Sequence, residues 1–155
     1  MARRFWLFKT EPDCFSIDDL KKAKGGISSW DGVRNYMARN LLRDEVKIGD
    51  GVLIYYSSTD PIGVAGIAEV VRDGYPDLSA RNPESQHFDP KATEENPRWY
   101  MVDVKFVKTF RSLIPLAVLK QTPGLEDMMV TKRGQRLSIQ PVKPKEWEIV
   151  MKLAE

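Results

Sequence analysis

The sequence predicts an α+β domain: a small, mixed or antiparallel β-barrel with short helices at its periphery. Short apolar runs alternate with Gly-, Pro- and Asp-rich turns, the mark of many brief strands. The helical stretches are too few and too short for a doubly wound parallel sheet. The chain of 155 residues shows neither an internal repeat nor a linker, so one domain over residues 1–155 is expected.

The elements follow in chain order. Phe5-Trp6-Leu7-Phe8 reads as a buried strand, closed by the polar run Lys9-Thr10-Glu11-Pro12-Asp13. Ser16 with Asp19 three residues on has the spacing of a capping box and opens a short helix that Gly25-Gly26 stop. Val33 to Arg43 carries apolar side chains at near-helical spacing, with Asp31 or Ser29 as the expected cap. Val52 to Ser57 and Gly63 to Val71 read as the two strands of a hairpin. Asp73 to Pro97 lacks periodicity, and a connection of that length in a small domain is usually functional or disordered. Order resumes in a strand in which Tyr100, Val102, Val104 and Phe106 share one face. A short helix over Ile114 to Lys120 follows, started by Pro115. Leu125 to Val130 reads as a short helical or extended piece. A turn at Arg133-Gly134 then leads into a brief strand ending at Ile139, and a C-terminal helix over Pro144 to Leu153 buries Trp147, Val150 and Met151.

Composition narrows the function. The net charge of +2 permits nucleic-acid binding but is too small for a protein held by phosphate contacts alone, so such binding would need a pocket. One cysteine, Cys14, allows no internal disulfide and points to a reducing compartment. It is expected as a partly buried, inert thiol. A single histidine, His87, rules out the usual zinc arrangements and a serine triad is hard to serve with it. No phosphate-binding glycine loop and no metal-spaced acid pair occur, so neither a cofactor nor a metal is expected. No signal-peptide core or membrane-length apolar run is present, and a soluble, cytoplasmic protein is expected.

The stretch Ser28 to Leu42, SSWDGVRNYMARNLL, gathers unlike chemistry at a helix start. Trp30 sits in a Ser, Asp and Gly context rather than on an apolar stripe. Asn35 is a poor residue inside a helix. Trp6 and Trp147 lie on core patterns.

Trp6 to Asp13 (WLFKTEPD), Trp30 to Asn40 (WDGVRNYMARN), Gly66 to Val71, Asn96 to Val104 and Arg133 to Ser138 together resemble the EVE domain. The likeness runs from about Arg4 to Glu148. It implies a PUA-like fold, a bent β-barrel with helices at its rim, and a non-enzymatic module that reads a modified base, chiefly a modified cytosine, in DNA or RNA. EVE domains are similar to YTH domains, which hold a methylated adenine of RNA in an aromatic cage. That likeness carries over to Lys9-Thr10 after the first strand, Trp30-Asp31 before the next helix, Asn35, and Tyr56-Ser57 at a strand end; Phe88 and Trp99 offer a further wall. The expected base pocket is therefore Lys9, Thr10, Glu11, Trp30, Asp31, Asn35, Tyr56, Ser57 and Trp99, with Arg34 and Arg133 at phosphates. Two alternatives stand beside it. PUA-like domains of the ASCH type can use a Lys-Thr-Glu set to remove an acyl group from a modified nucleoside, for which Lys9, Thr10 and Glu11 or Glu69 could serve. The third reading is a protein-interaction module.

Overall fold

Strand β1 (Phe5–Thr10) shows how one short segment organises the whole molecule. Its side chains alternate across the sheet, so Trp6 and Phe8 enter one hydrophobic cluster and Leu7 the other. All three are fully buried. The computed structural model describes residues 3–134 and 136–155, so Gln135 of the expected turn lies outside the described residues.

The capping box expected at Ser16 forms: its hydroxyl accepts from the Asp19 amide, the Asp19 carboxylate accepts from the Ser16 amide, and helix α1 (Ile17–Lys22) follows. Strand β2 (Ile27–Ser29) precedes helix α2 (Tyr36–Asp44). Strands β3 (Gly51–Tyr56) and β4 (Gly63–Pro76) form the expected antiparallel hairpin. Strand β5 (Tyr100–Pro115), helix α3 (Leu116–Gln121), strand β6 (Ile139–Val142) and helix α4 (Pro144–Leu153) complete the chain.

Among the described residues six strands make one mixed sheet in the order β2-β5-β4-β3-β1-β6. Only β1 and β3 run parallel; the other neighbours are antiparallel. The fold is the PUA-like fold, with short helices on both faces of the sheet. It departs from the expected barrel in one respect: among the described residues β2 and β6 are the two edges, and the sheet is not closed. Four register shifts between β4 and β5 bend the long strands, as bulges do. The same shifts break strict alternation, which is why β4 runs well beyond Val71, the end expected from pattern, and β5 well beyond Phe106, the last residue of the expected alternation.

Two apolar clusters lie against the sheet. One joins Trp6, Phe8, Trp30 and Ile54 to Leu20 of α1 and Leu42 of α2. The other joins Leu7, Leu53 and Tyr55 to Leu119 of α3 and Trp147 and Val150 of α4. Among the described residues no helix is long and apolar enough to cross a membrane.

Candidate functional site

Where β1 ends and β2 runs into the loop before α2, a cavity of about 680 Å³ opens. Lys9, Thr10, Glu11, Cys14 and Phe15 line it from the β1 end, and Ser28 to Arg34 from β2 and its loop. Gln86 and His87 reach it from the long segment between β4 and β5, and Ser138 from the approach to β6.

Trp30 is fixed in this wall from several sides. Its amide donates to the Val102 carbonyl of β5 at 2.7 Å. Its ring meets Phe8 at 5.4 Å between centroids and the edge of Phe15 at 5.9 Å. It is only 7% exposed, yet it lines the cavity. A ring held this firmly loses little freedom when a second ring lies on it.

The polar groups are set by β1. Half-burial lowers the pKa of Lys9, whose ammonium lies 5.9 Å from the centre of the Tyr55 ring. The Thr10 hydroxyl donates to the Phe15 carbonyl at 2.8 Å, which ties the strand end to the loop before α1. The Glu11 carboxylate accepts from the Ser58 hydroxyl at 3.3 Å and from the Cys14 thiol at 3.6 Å. Cys14 is exposed rather than partly buried, because the polar turn after Pro12 carries it off the sheet. Its bond to Glu11, with the neighbouring carboxylates, pushes the thiol pKa up and keeps it protonated.

The loop after Trp30 is shaped by Asp77, which is almost fully buried. Its Oδ2 accepts from the Gly32 amide at 2.8 Å and from Arg34 Nη1 at 3.2 Å, while Oδ1 accepts from the amide and hydroxyl of Ser79. Burial alone would raise the Asp77 pKa; the bonds from Ser79, Gly32 and Arg34 outweigh it and hold the carboxyl below its ordinary value. Arg34 also donates through Nε and Nη2 to the His87 carbonyl, at 3.2 and 2.6 Å. Gly32 has φ +80°, and a Cβ there would stand 2.6 Å from the His87 ring. Only glycine fits that position.

These bonds hold residues 32–34 in the loop, and α2 starts at Tyr36 rather than Val33. The cap is accordingly Asn35, not Asp31 or Ser29: its carboxamide oxygen accepts from the Ala38 amide at 3.0 Å.

Of the residues singled out in the sequence, Lys9, Thr10, Glu11, Trp30, Asp31 and Arg34 come together around the cavity. Asn35, Tyr56, Ser57, Trp99 and Arg133 do not line it. Asn35 caps α2. The Tyr56 hydroxyl accepts from the Ile17 amide at 2.9 Å, and the Ser57 amide donates to the Thr10 carbonyl, so both brace the wall from behind. Trp99 is buried, donates through its indole N–H to Asp89 at 2.6 Å and stacks on Tyr36 at 4.9 Å. Asp89 also ion-pairs with Arg98 Nε at 3.0 Å, too poorly aligned for a hydrogen bond. Arg133 is exposed on the turn before β6. Phe88, the other offered wall, is exposed away from the cavity lining. Its neighbour His87 lines the cavity, and sequence reasoning set it aside; the available signal was the lone histidine of the chain inside its longest unpatterned segment.

Known proteins share this architecture. The EVE domain family model matches residues 4–153. Thymocyte nuclear protein 1 of Homo sapiens is 41% identical over 166 residues, spanning 97% of this chain and 73% of that protein. A protein of Pseudomonas syringae solved by crystallography has a TM-score of 0.92 at 42% identity, covering 97% of this chain and 99% of that one. Human THYN1 protein, solved in complex with 5-methylcytosine-containing DNA, has a TM-score of 0.90 at 40% identity, and the match covers 98% of each chain.

Proposed function

The chain belongs to the EVE domain family, and from that premise we propose that it is a reader of modified DNA that takes 5-methylcytosine into the cavity beside Trp30. One observation carries the reading: Trp30 is held in the wall of a cavity that Lys9, Thr10, Glu11 and Asp31 also line. The human relative solved with 5-methylcytosine-containing DNA supports the choice of ligand. The volume, about 680 Å³, lies within the roughly 300–1,000 Å³ common for small-molecule sites.

A base leaving a duplex exchanges its stacking for a protein ring and has its edge read by hydrogen bonds. Trp30 supplies the ring. Cytosine presents an amino donor at N4 and acceptors at N3 and O2. The carboxylates of Glu11 and Asp31 are suited to accept from N4, and the Lys9 ammonium to donate to O2. Burying the 5-methyl group adds roughly 0.8 kcal/mol, so selectivity for the methyl rests on a close fit as well as on transfer. Arg133, exposed and positive, is suited to meet a backbone phosphate. Asn35, Tyr56, Ser57 and Trp99 act by holding the walls.

Fluorescence anisotropy with short labelled DNA and RNA oligonucleotides tests this. Each carries one cytosine, 5-methylcytosine, 5-hydroxymethylcytosine, N4-acetylcytosine or N6-methyladenine. The 5-methylcytosine DNA should bind most tightly, and Trp30→Ala should weaken it by about 1–3 kcal/mol, the worth of one base–aromatic stack. Equal binding of all probes, or binding indifferent to Trp30, sinks the proposal.

A hydrolase acting on an acylated nucleoside has one observation in its favour, the lowered pKa of Lys9. Against it, the Thr10 hydroxyl is already engaged at the Phe15 carbonyl. Mass spectrometry of the N4-acetylcytosine probe after incubation decides between them, since loss of the acetyl group would make the protein an enzyme.

A further inference from the structure

His87 is tied down by its backbone while its ring is left unspent. The carbonyl takes two N–H groups from Arg34, and the amide donates to the Ser85 hydroxyl at 3.0 Å. Any residue could provide those backbone groups. The imidazole itself has no hydrogen-bond partner among the described residues; it rests against Gly32, two positions after Trp30, and lines the same cavity. A ring held in a ligand cavity by contacts that do not use the ring is available to a ligand.

Arg34 explains how it is held. A guanidinium has five N–H donors. Those of Arg34 reach the His87 carbonyl twice, the Val33 carbonyl at 2.9 Å and the Asp77 carboxylate, so the fork is directed inward. Its carbon also lies 5.2 Å from the centre of the Trp99 ring. Through these bonds Arg34 joins the Trp30 loop to the segment between β4 and β5, across 53 positions of sequence.

We infer that His87 is a second aromatic contact for the base in the Trp30 cavity, and that Arg34 is the positioning residue that sets it rather than a phosphate contact. The inference rests on the base-pocket reading above. His87 brings to the site a flat ring from the segment between β4 and β5, where Trp30 brings one from the loop that follows β2. Selectivity for a base over a non-planar ligand then comes from two rings carried by different parts of the fold.

The experiment uses a short DNA oligonucleotide with one 5-methylcytosine, the wild-type chain and five variants, Trp30→Ala among them. His87→Ala should weaken binding about tenfold, whereas His87→Phe, which keeps a ring, should stay within about threefold of wild type. Arg34→Ala should lose a similar factor, and adding it to His87→Ala should cost little more, since both remove one contact. The slope of affinity against salt should be unchanged by Arg34→Ala; a phosphate contact would reduce it by about one. If His87→Ala binds as wild type while Trp30→Ala does not, this inference fails and the base pocket stands. If His87→Phe loses as much as His87→Ala, or the salt slope falls with Arg34→Ala, the assigned roles are overturned. If the wild-type chain itself does not bind the probe, the pocket reading fails first.

Discussion

The two faces of the sheet are built from the same strands and closed in different ways. On the face covered by α3 and α4, Trp147 stacks on Phe5 at 4.5 Å, Arg3 lies over both rings, and Leu7, Leu53, Leu119 and Val150 fill the space beneath. On the opposite face α1 and α2 cover only part of the sheet. The remainder is roofed by the segment between β4 and β5, held by Asp77, Arg34 and backbone amides. Trp147 is covered by Phe5, Arg3 and apolar side chains; Trp30, equally buried, borders a cavity with polar groups in its wall. The difference teaches that the site exists because one face is closed by hydrogen bonds instead of by side-chain volume. Apolar cover fills whatever space it is given. A polar clasp can hold a roof at a distance.

That contrast can be broken from either side. The largest effect is expected from Trp147→Ala, which opens a cavity on the sealed face and should cost about 3–5 kcal/mol of stability. Denaturant unfolding reads the loss, and the affinity of the folded fraction for a 5-methylcytosine probe should not change. A fall in affinity larger than the unfolded fraction explains would show the two faces to be coupled. Asp77→Ala should be smaller in stability, roughly 1–3 kcal/mol for buried donors left without an acceptor, but should abolish most binding. Trp147 and Asp77 should thus separate stability from affinity in opposite directions.

The smallest effect is expected from pH near neutrality. Asp77 has a depressed pKa in the folded chain, so its contribution is complete above the ordinary carboxylate value and is lost as pH falls through the folded value. Unfolding curves measured from pH 7 to 5 should therefore show no loss from the clasp, with loosening only below about pH 4. Lys9 works in the other direction. Its pKa is lowered by burial from 10.5, so a contact that needs the ammonium weakens on the alkaline side earlier than an ordinary lysine would. Anisotropy titrations across that range check the sign.

The sequence discloses the parts of this arrangement that are local. The capping box at Ser16, the hairpin of β3 and β4, the bounds of α4 and the core places of Trp6 and Trp147 all follow from spacing within a few residues. The gathering of Trp30, Asp31 and Arg34 with Lys9 to Glu11 is also legible, through the family resemblance. Asn35 is where reading from the sequence runs out. Nothing near it reveals that Asp77, 42 positions away, draws residues 32–34 out of the helix and leaves Asn35 as its cap. Arg34 reads from the sequence as a phosphate contact, since its partners in the fold lie 43 and 53 positions on. The open edges of the sheet are invisible in strand patterns, which say what alternates and not what closes.

Strand β1 sits between β3 and β6, so the first strand of the chain is completed by one of the last elements. Phe8 is paired with Ile139, and the Lys9 amide donates to the carbonyl of Ser138, a cavity residue. During synthesis the residues of the β1 end and the Trp30 loop emerge early, yet they have no finished wall until residues 138–142 leave the ribosome. Under the proposed function, the cavity that takes the base is therefore finished only when residues 138–142 have joined β1.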